Sequence, residues 1–156
     1  MNPDSSRWPG GLAQYLDRAV RQLAVQNRVL ESLAYGEELP VVLETLVLGA
    51  ESLSPGMLGS ILLFDPEDQT LKDSVAPSLP EAYNAAIAVV PVGPSSGSCG
   101  TAAYRRERVV VSDIATDPLW GSIAHLALPH GLRACWSTPR RTARSSMLTR
   151  FPRAGA

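Results

Sequence analysis

Cysteine, long apolar runs and net charge are all scarce in this chain, and each scarcity excludes something. The 156 residues contain two cysteines, Cys99 and Cys135. A disulfide scaffold is therefore excluded, and a reducing compartment is the simpler reading. No stretch approaches the roughly 18 apolar residues of a membrane-spanning helix; AAIAVVPV (85–92) is short and contains proline. The N-terminal MNPDSSRWPGG has no basic region leading into an apolar one, as a signal peptide would. Residues 1–10 read as disordered. A cytoplasmic protein with no membrane contact is expected. Fourteen basic and fifteen acidic residues give a net charge of −1, which offers no electrostatic case for nucleic acid. What remains is 45% apolar and 19% charged, a globular balance in a length that suits one domain with its own core.

Residues 11–35 contain no proline or interior glycine and repeat helically. Ala13, Leu16, Val20, Leu23, Asn27, Leu30 and Ala34 alternate at spacings of three and four. This is an a/d seam with leucine at d and Asn27 at a, where a buried asparagine fixes the register of parallel two-stranded coils. The pattern fits a signalling helix that makes a homodimer, and equally one amphipathic helix packed on its own domain. A second helix follows, with Glu37 and Glu38 near its N-terminus and Leu39, Val42, Leu43, Leu46 and Val47 on one face. MLGSILLF (57–64) reads as a buried strand. DPED turns the chain, and QTLKDSV (69–75) pairs back on it. Ser78 and Glu81 have capping-box spacing for a short helix. A glycine- and serine-rich loop then leads into a brief helix, and RVVVSDI (108–114) is a strand. Asp117 and Pro118 open another helix, expected to run to His130, with Gly131 in the left-handed position after it. LRACWSTP (132–139) is the last clear strand.

Composition breaks at residue 140. Residues 140–156 contain five arginines and no acid, leaving 1–139 with nine basic against fifteen acidic residues, net −6. The segment reads as a basic, irregular tail foreign to what precedes it, as a truncated or frame-slipped end would be. Seventeen residues with one phenylalanine and no lysine make a poor nucleic-acid arm.

Several residues could carry chemistry. Gly93, Gly97 and Gly100 run into a helix start, but there is no Gly-Lys-Ser/Thr, so a tight turn is favoured over a phosphate cradle. Cys99 lies at that helix start, where thiols are generally more reactive; the plainer reading is a small residue packed under the loop. His125 and His130 lack metal-site spacing with the cysteines, and no metal is expected. Trp120 and Trp136 could stack on a ligand or simply fill core.

Three strings together resemble the GAF domain: GMLGSILLFDPEDQTL (56–71), VPVGPSSGSCGTAAYRRERVVVSDIATDPLW (90–120) and LALPHGLRACWSTP (126–139). The resemblance covers about residues 37–139 and is greatest to GAF domains of sensor histidine kinases and diguanylate cyclases. It implies an α+β fold, GAF/PAS-like, with a central antiparallel sheet and helices on both faces. It also implies a small-molecule ligand, of unknown identity, held by the loop at 93–100 and the helix at 118–130. Ser98, Cys99, Tyr104, Trp120, His125 and Trp136 are the implied binding residues. The implied role is non-catalytic sensing, coupled to an output domain such as a histidine kinase or diguanylate cyclase. Family members continue past a string like WSTP into a further apolar strand beside 57–64, and then a C-terminal helix. This chain is expected to lack both. Either SSMLTRF (145–151) substitutes as a poor strand, interrupted by Arg150 and followed by Pro152, or the neighbouring strands close up, or the product is not stable alone. The alternative resemblance is to free methionine-(R)-sulfoxide reductase, a GAF-fold thiol enzyme whose cysteine segment is similar to GSCGTAA. Cys99 would then be catalytic, but the family's further cysteines are not matched, and Cys135 lies where that family uses none.

Overall fold

The structure, a computed structural model, describes residues 11–139 and 146–152. The segment 1–10, expected to be disordered, lies outside them. In chain order the elements are α1 (Gly11–Ala34), α2 (Leu39–Ser52), β1 (Met57–Asp65), β2 (Thr70–Val75), α3 (Glu81–Ala86) and β3 (Val90–Pro91). They continue with α4 (Gly97–Arg105), β4 (Val109–Val111), α5 (Ala124–Ala127), β5 (Cys135–Pro139) and β6 (Ser146–Pro152). The strands form one antiparallel sheet in the order β3-β2-β1-β6-β5-β4.

Strand alternation divides the core between the two faces. Leu58 and Leu62 of β1 enter the main cluster with Leu71, Tyr83, Ala102, Ile114, Trp120, Leu132 and Cys135, under α3, α4 and α5. Gly59 faces the other way, onto α2, where an added Cβ would lie 3.2 Å from Val47 Cγ1.

β1 runs past its partnership with β2, which begins only at Ile61. Glu51 covers part of that gap. Its Oε1 accepts the Gly59 amide at 2.7 Å, and its Oε2 accepts the Ser78 hydroxyl at 2.6 Å. The capping box expected of Ser78 and Glu81 therefore does not form, and α3 starts at Glu81, with Pro80 at its N-cap position and no side-chain cap. Glu51→Ala strands a strand amide and a hydroxyl. A loss of about 1–3 kcal/mol is expected in urea denaturation, and an unchanged midpoint would show that water replaces the carboxylate at no cost.

The expected absence of a central strand is corrected. β6 lies between β1 and β5, with Ile61 opposite Leu148 and Thr138 opposite Leu148 on the other side. Part of the segment read as an irregular tail is thus the middle of the sheet. The gap between β1 and β5 presents backbone donors and acceptors on both sides, and any non-proline backbone can meet them. Pro152 is tolerated because it ends the strand, opposite Met57, two residues beyond the last pair with β5. Among the described residues no helix follows β6.

The helix expected over 118–130 is also corrected, to a 3₁₀ turn (Pro118–Trp120), α5 and a second 3₁₀ turn (Leu128–His130). Gly121 and Pro129 interrupt it, both poor interior helix residues. Its ends are as expected: Asp117 accepts the Leu119 amide at 2.9 Å, and Gly131 is left-handed at φ 74°.

α1 has two opposite faces. Val25, Val29 and Ser32 turn toward the body of the domain, and Gly49 of α2 allows close approach because a Cβ there would collide with Val25. On the far side Leu16, Val20, Leu23 and Leu30 are 52%, 65%, 58% and 61% exposed. The a/d seam is therefore not the face that packs on its own domain.

Candidate functional site

The site begins at the turn before α4. Gly97 has φ +57°, and a Cβ on Gly100 would collide with the Pro91 carbonyl oxygen, so β3 and the helix start touch backbone to backbone. Ser96 ties the turn, its hydroxyl donating to Pro91 O at 2.6 Å and its amide to Thr101 Oγ1 at 3.1 Å. The glycines build a tight turn, as the sequence suggested.

This turn presses Ser98 and Cys99, in the first turn of α4, against β5. Cys135 and Ser137 are two apart on β5 and share its inner face, both buried. Cys135 Sγ donates to Ser98 Oγ at 3.2 Å, Ser137 Oγ donates to Ser98 Oγ at 3.1 Å, and Ser137 Oγ reaches Cys99 Sγ at 3.5 Å. Trp120, 3% exposed, closes one side. Its Nε1 lies near Cys135, where it favours the thiolate, yet among the described residues no acceptor meets it with hydrogen-bond geometry. Tyr83 of α3 closes another side, with its ring edge-on to His130 at 6.1 Å.

Two of these groups, Cys135 and Tyr83, are kept protonated at neutral pH. Burial pushes the Cys135 thiol up to about 12, against the opposing effect of its hydrogen bond with Ser98. Burial, with the two thiols nearby, raises the Tyr83 hydroxyl well above the ordinary tyrosine range. A buried thiol and phenol kept protonated, beside hydroxyls and an indole N–H, suit hydrogen bonding to a small polar molecule.

Of the six residues implied for binding, the structure brings three together: Ser98, Cys99 and Trp120. The other three are displaced from the cluster. Tyr104 is 57% exposed, farther along α4. His125 points to solvent on α5. Trp136 sits between Cys135 and Ser137 on β5, so strand alternation sends it to the opposite face of the sheet. Sequence reading missed Tyr83, Cys135 and Ser137. The signal for the last two was the period of two in CWSTP.

A groove of about 220 Å³ lies elsewhere, between α1 and α2, lined by Val25, Arg28, Glu44, Thr45 and Ser52 among others. It is separate from the α4–β5 cluster.

The family model for the GAF domain matches residues 36–139. A methyl sulfide methyltransferase-associated sensor of Methanosarcina acetivorans is 42% identical over 114 residues, 73% of this chain and 11% of that protein. This chain thus spans about a tenth of its curated relative. A GAF sensor protein from Burkholderia vietnamiensis superposes with TM-score 0.60 at 19% identity, over 88% of this chain and 81% of that one. Free methionine-R-sulfoxide reductase from Neisseria meningitidis gives the same TM-score, 0.60, at 18% identity over 86% of this chain and 70% of that one. Likeness at such identity speaks for fold alone. With two thirds of its length matched by the family model and a sensor relative at 42% identity, this chain belongs to the GAF domain family.

Proposed function

We propose that this chain is a non-catalytic sensing domain that binds a small polar molecule beside α4 and β5 and signals through a parallel α1 dimer to an output domain. A histidine kinase or a diguanylate cyclase is the kind of output such a dimer serves. The observation that carries the reading is the double-faced α1. One face rests toward α2 on the sheet, and the opposite face offers an exposed leucine seam with Asn27 at an a position. Its e and g positions, Asp17, Ala24 and Glu31 with Ala19, Gln26 and Leu33, set no fixed pair of like charges across a parallel interface. A ligand that moves α4 against β5 acts on the same sheet that carries α2, and α2 carries α1.

Sedimentation of the wild type beside a Leu23→Asp, Leu30→Asp variant tests the relay. The wild type is expected as a dimer and the variant as a folded monomer; equal monomeric masses would overturn it. The catalytic alternative has its own arm. Turnover of free methionine sulfoxide with a thiol donor, lost in Cys99→Ser, would replace sensing by enzymology.

A further inference from the structure

The chain has two cysteines, far apart in sequence, and the fold places both in one cluster. Ser98 Oγ lies 3.2 Å from Cys135 Sγ and 3.9 Å from Cys99 Sγ, so a single hydroxyl touches both sulfurs. Ser137 Oγ closes the ring, at 3.5 Å from Cys99 Sγ and 3.1 Å from Ser98 Oγ. The two sulfurs differ in access. Cys99 is half-buried at the start of α4, whereas Cys135 is 1% exposed.

We propose that Cys99 and Cys135 are a thiol pair that reduces a hydroperoxide and closes into an intramolecular disulfide, pinning the start of α4 to β5. In the first step Cys99 sulfur attacks the outer oxygen of R–OOH. The S–O bond forms, the O–O bond breaks, and the thiol proton leaves with the alcohol or water, giving Cys99 sulfenic acid. In the second step Cys135 sulfur attacks Cys99 sulfur. The S–S bond forms, the S–O bond breaks, and the Cys135 proton leaves with the hydroxide as water. Two thiols are oxidised and one peroxide is reduced to an alcohol and water, so the electrons balance without another reagent.

The geometry sets the order of events. Cys135 is shielded and remains a protonated thiol at neutral pH, so the reachable Cys99 reacts first. Ser98 Oγ accepts the Cys135 S–H hydrogen bond and so holds the second thiol beside the start of α4, while its proton leaves with the hydroxide as water. Closure needs the Cβ atoms about 3.5–4.5 Å apart. The proposal is independent of the ligand reading and needs no methionine sulfoxide.

The test uses the full chain. Reduced protein is treated with hydrogen peroxide, quenched with catalase, denatured and alkylated with iodoacetamide. Peptides are then mapped without reductant. Both thiols are expected to become unreactive together, in a monomeric species with a Cys99–Cys135 linked peptide that dithiothreitol removes. Cys135→Ser is expected to stop at a sulfenic acid on Cys99, captured by dimedone. Cys99→Ser is expected to leave Cys135 alkylatable, with its oxidation slowed at least about tenfold. Three results would overturn the proposal. In the wild type, both thiols could stay alkylatable, or Cys99 could overoxidise with no linked peptide. In Cys99→Ser, Cys135 could oxidise as fast as before. The wild-type map decides the matter even where a variant fails to fold.

Discussion

Removal of residues 140–156 is expected to abolish the cooperative unfolding transition, not merely to lower its midpoint. β6 is paired along both sides, from Met57 to Leu63 on β1 and from Trp136 to Pro139 on β5. Deleting it leaves two neighbours with open ladders in the interior of the sheet. Each buried backbone group left without a partner costs about 1–3 kcal/mol, and a domain has about 5–15 kcal/mol in all. Several such groups exceed that reserve. Leu148→Pro makes the same point at full length, since Leu148 pairs with both Ile61 and Thr138 and proline cannot donate to a ladder. Circular dichroism through a urea titration is the measurement. A sharp transition in the shortened chain, with the wild-type midpoint, would mean that β1 and β5 close on each other.

Gly100→Ala is expected to destabilise the domain by about 3 kcal/mol, the upper part of the range for overpacking. The same exchange at an ordinary helical glycine gains about 1 kcal/mol from helix propensity, so the sign itself is the test. The reversal has a local cause. The new Cβ meets the Pro91 carbonyl, which cannot rotate away, and Ser96 Cβ at 2.7 Å. To relieve it, the start of α4 must lift from β3, taking Ser98 and Cys99 away from β5. Gly93→Ala is the control. There an added Cβ finds only Ser96 Cβ, at 4.0 Å, and the change is expected to stay within about 0.5 kcal/mol. Equal urea midpoints for the two variants would refute the close-approach argument.

What could be read from the residues alone depended on how local the cause was. The left-handed Gly131, the Asp117 cap, the seam on α1 and the strand MLGSILLF each follow from a few neighbouring residues, and each is where it was expected. β6 was misread because its cause is not local. Ser, Thr, Arg and Pro in SMLTRFP give little strand signal, and the pairing comes from the vacancy between two distant strands. The Ser78 capping box failed for a related reason, since a carboxylate 27 positions earlier offered that hydroxyl a better partner. Ser98, Cys99 and Trp120, proposed for binding from recognisable strings in the loop and the turn, lie together in the fold. Trp136, proposed on its aromatic character, lies on the opposite face of β5 from Cys135 and Ser137, as strand alternation dictates. The thiol pair was invisible in one dimension, because only the packing of α4 on β5 brings residue 99 to residue 135.

The position of β6 also bears on how this domain is made. Met57 on β1 finds its partner in Pro152, so the ribosome completes β1 long before the strand that will lie beside it. Until then the nascent chain carries β1 and β2 as a hairpin whose inner edge is open, bearing the apolar run MLGSILLF. Contacts of such long sequence separation form late and slowly, and an exposed strand edge is a template for other chains. Synthesis therefore passes through an interval in which the future centre of the sheet is the stickiest surface on the molecule. The yield of folded protein should depend on what shields that edge while translation proceeds.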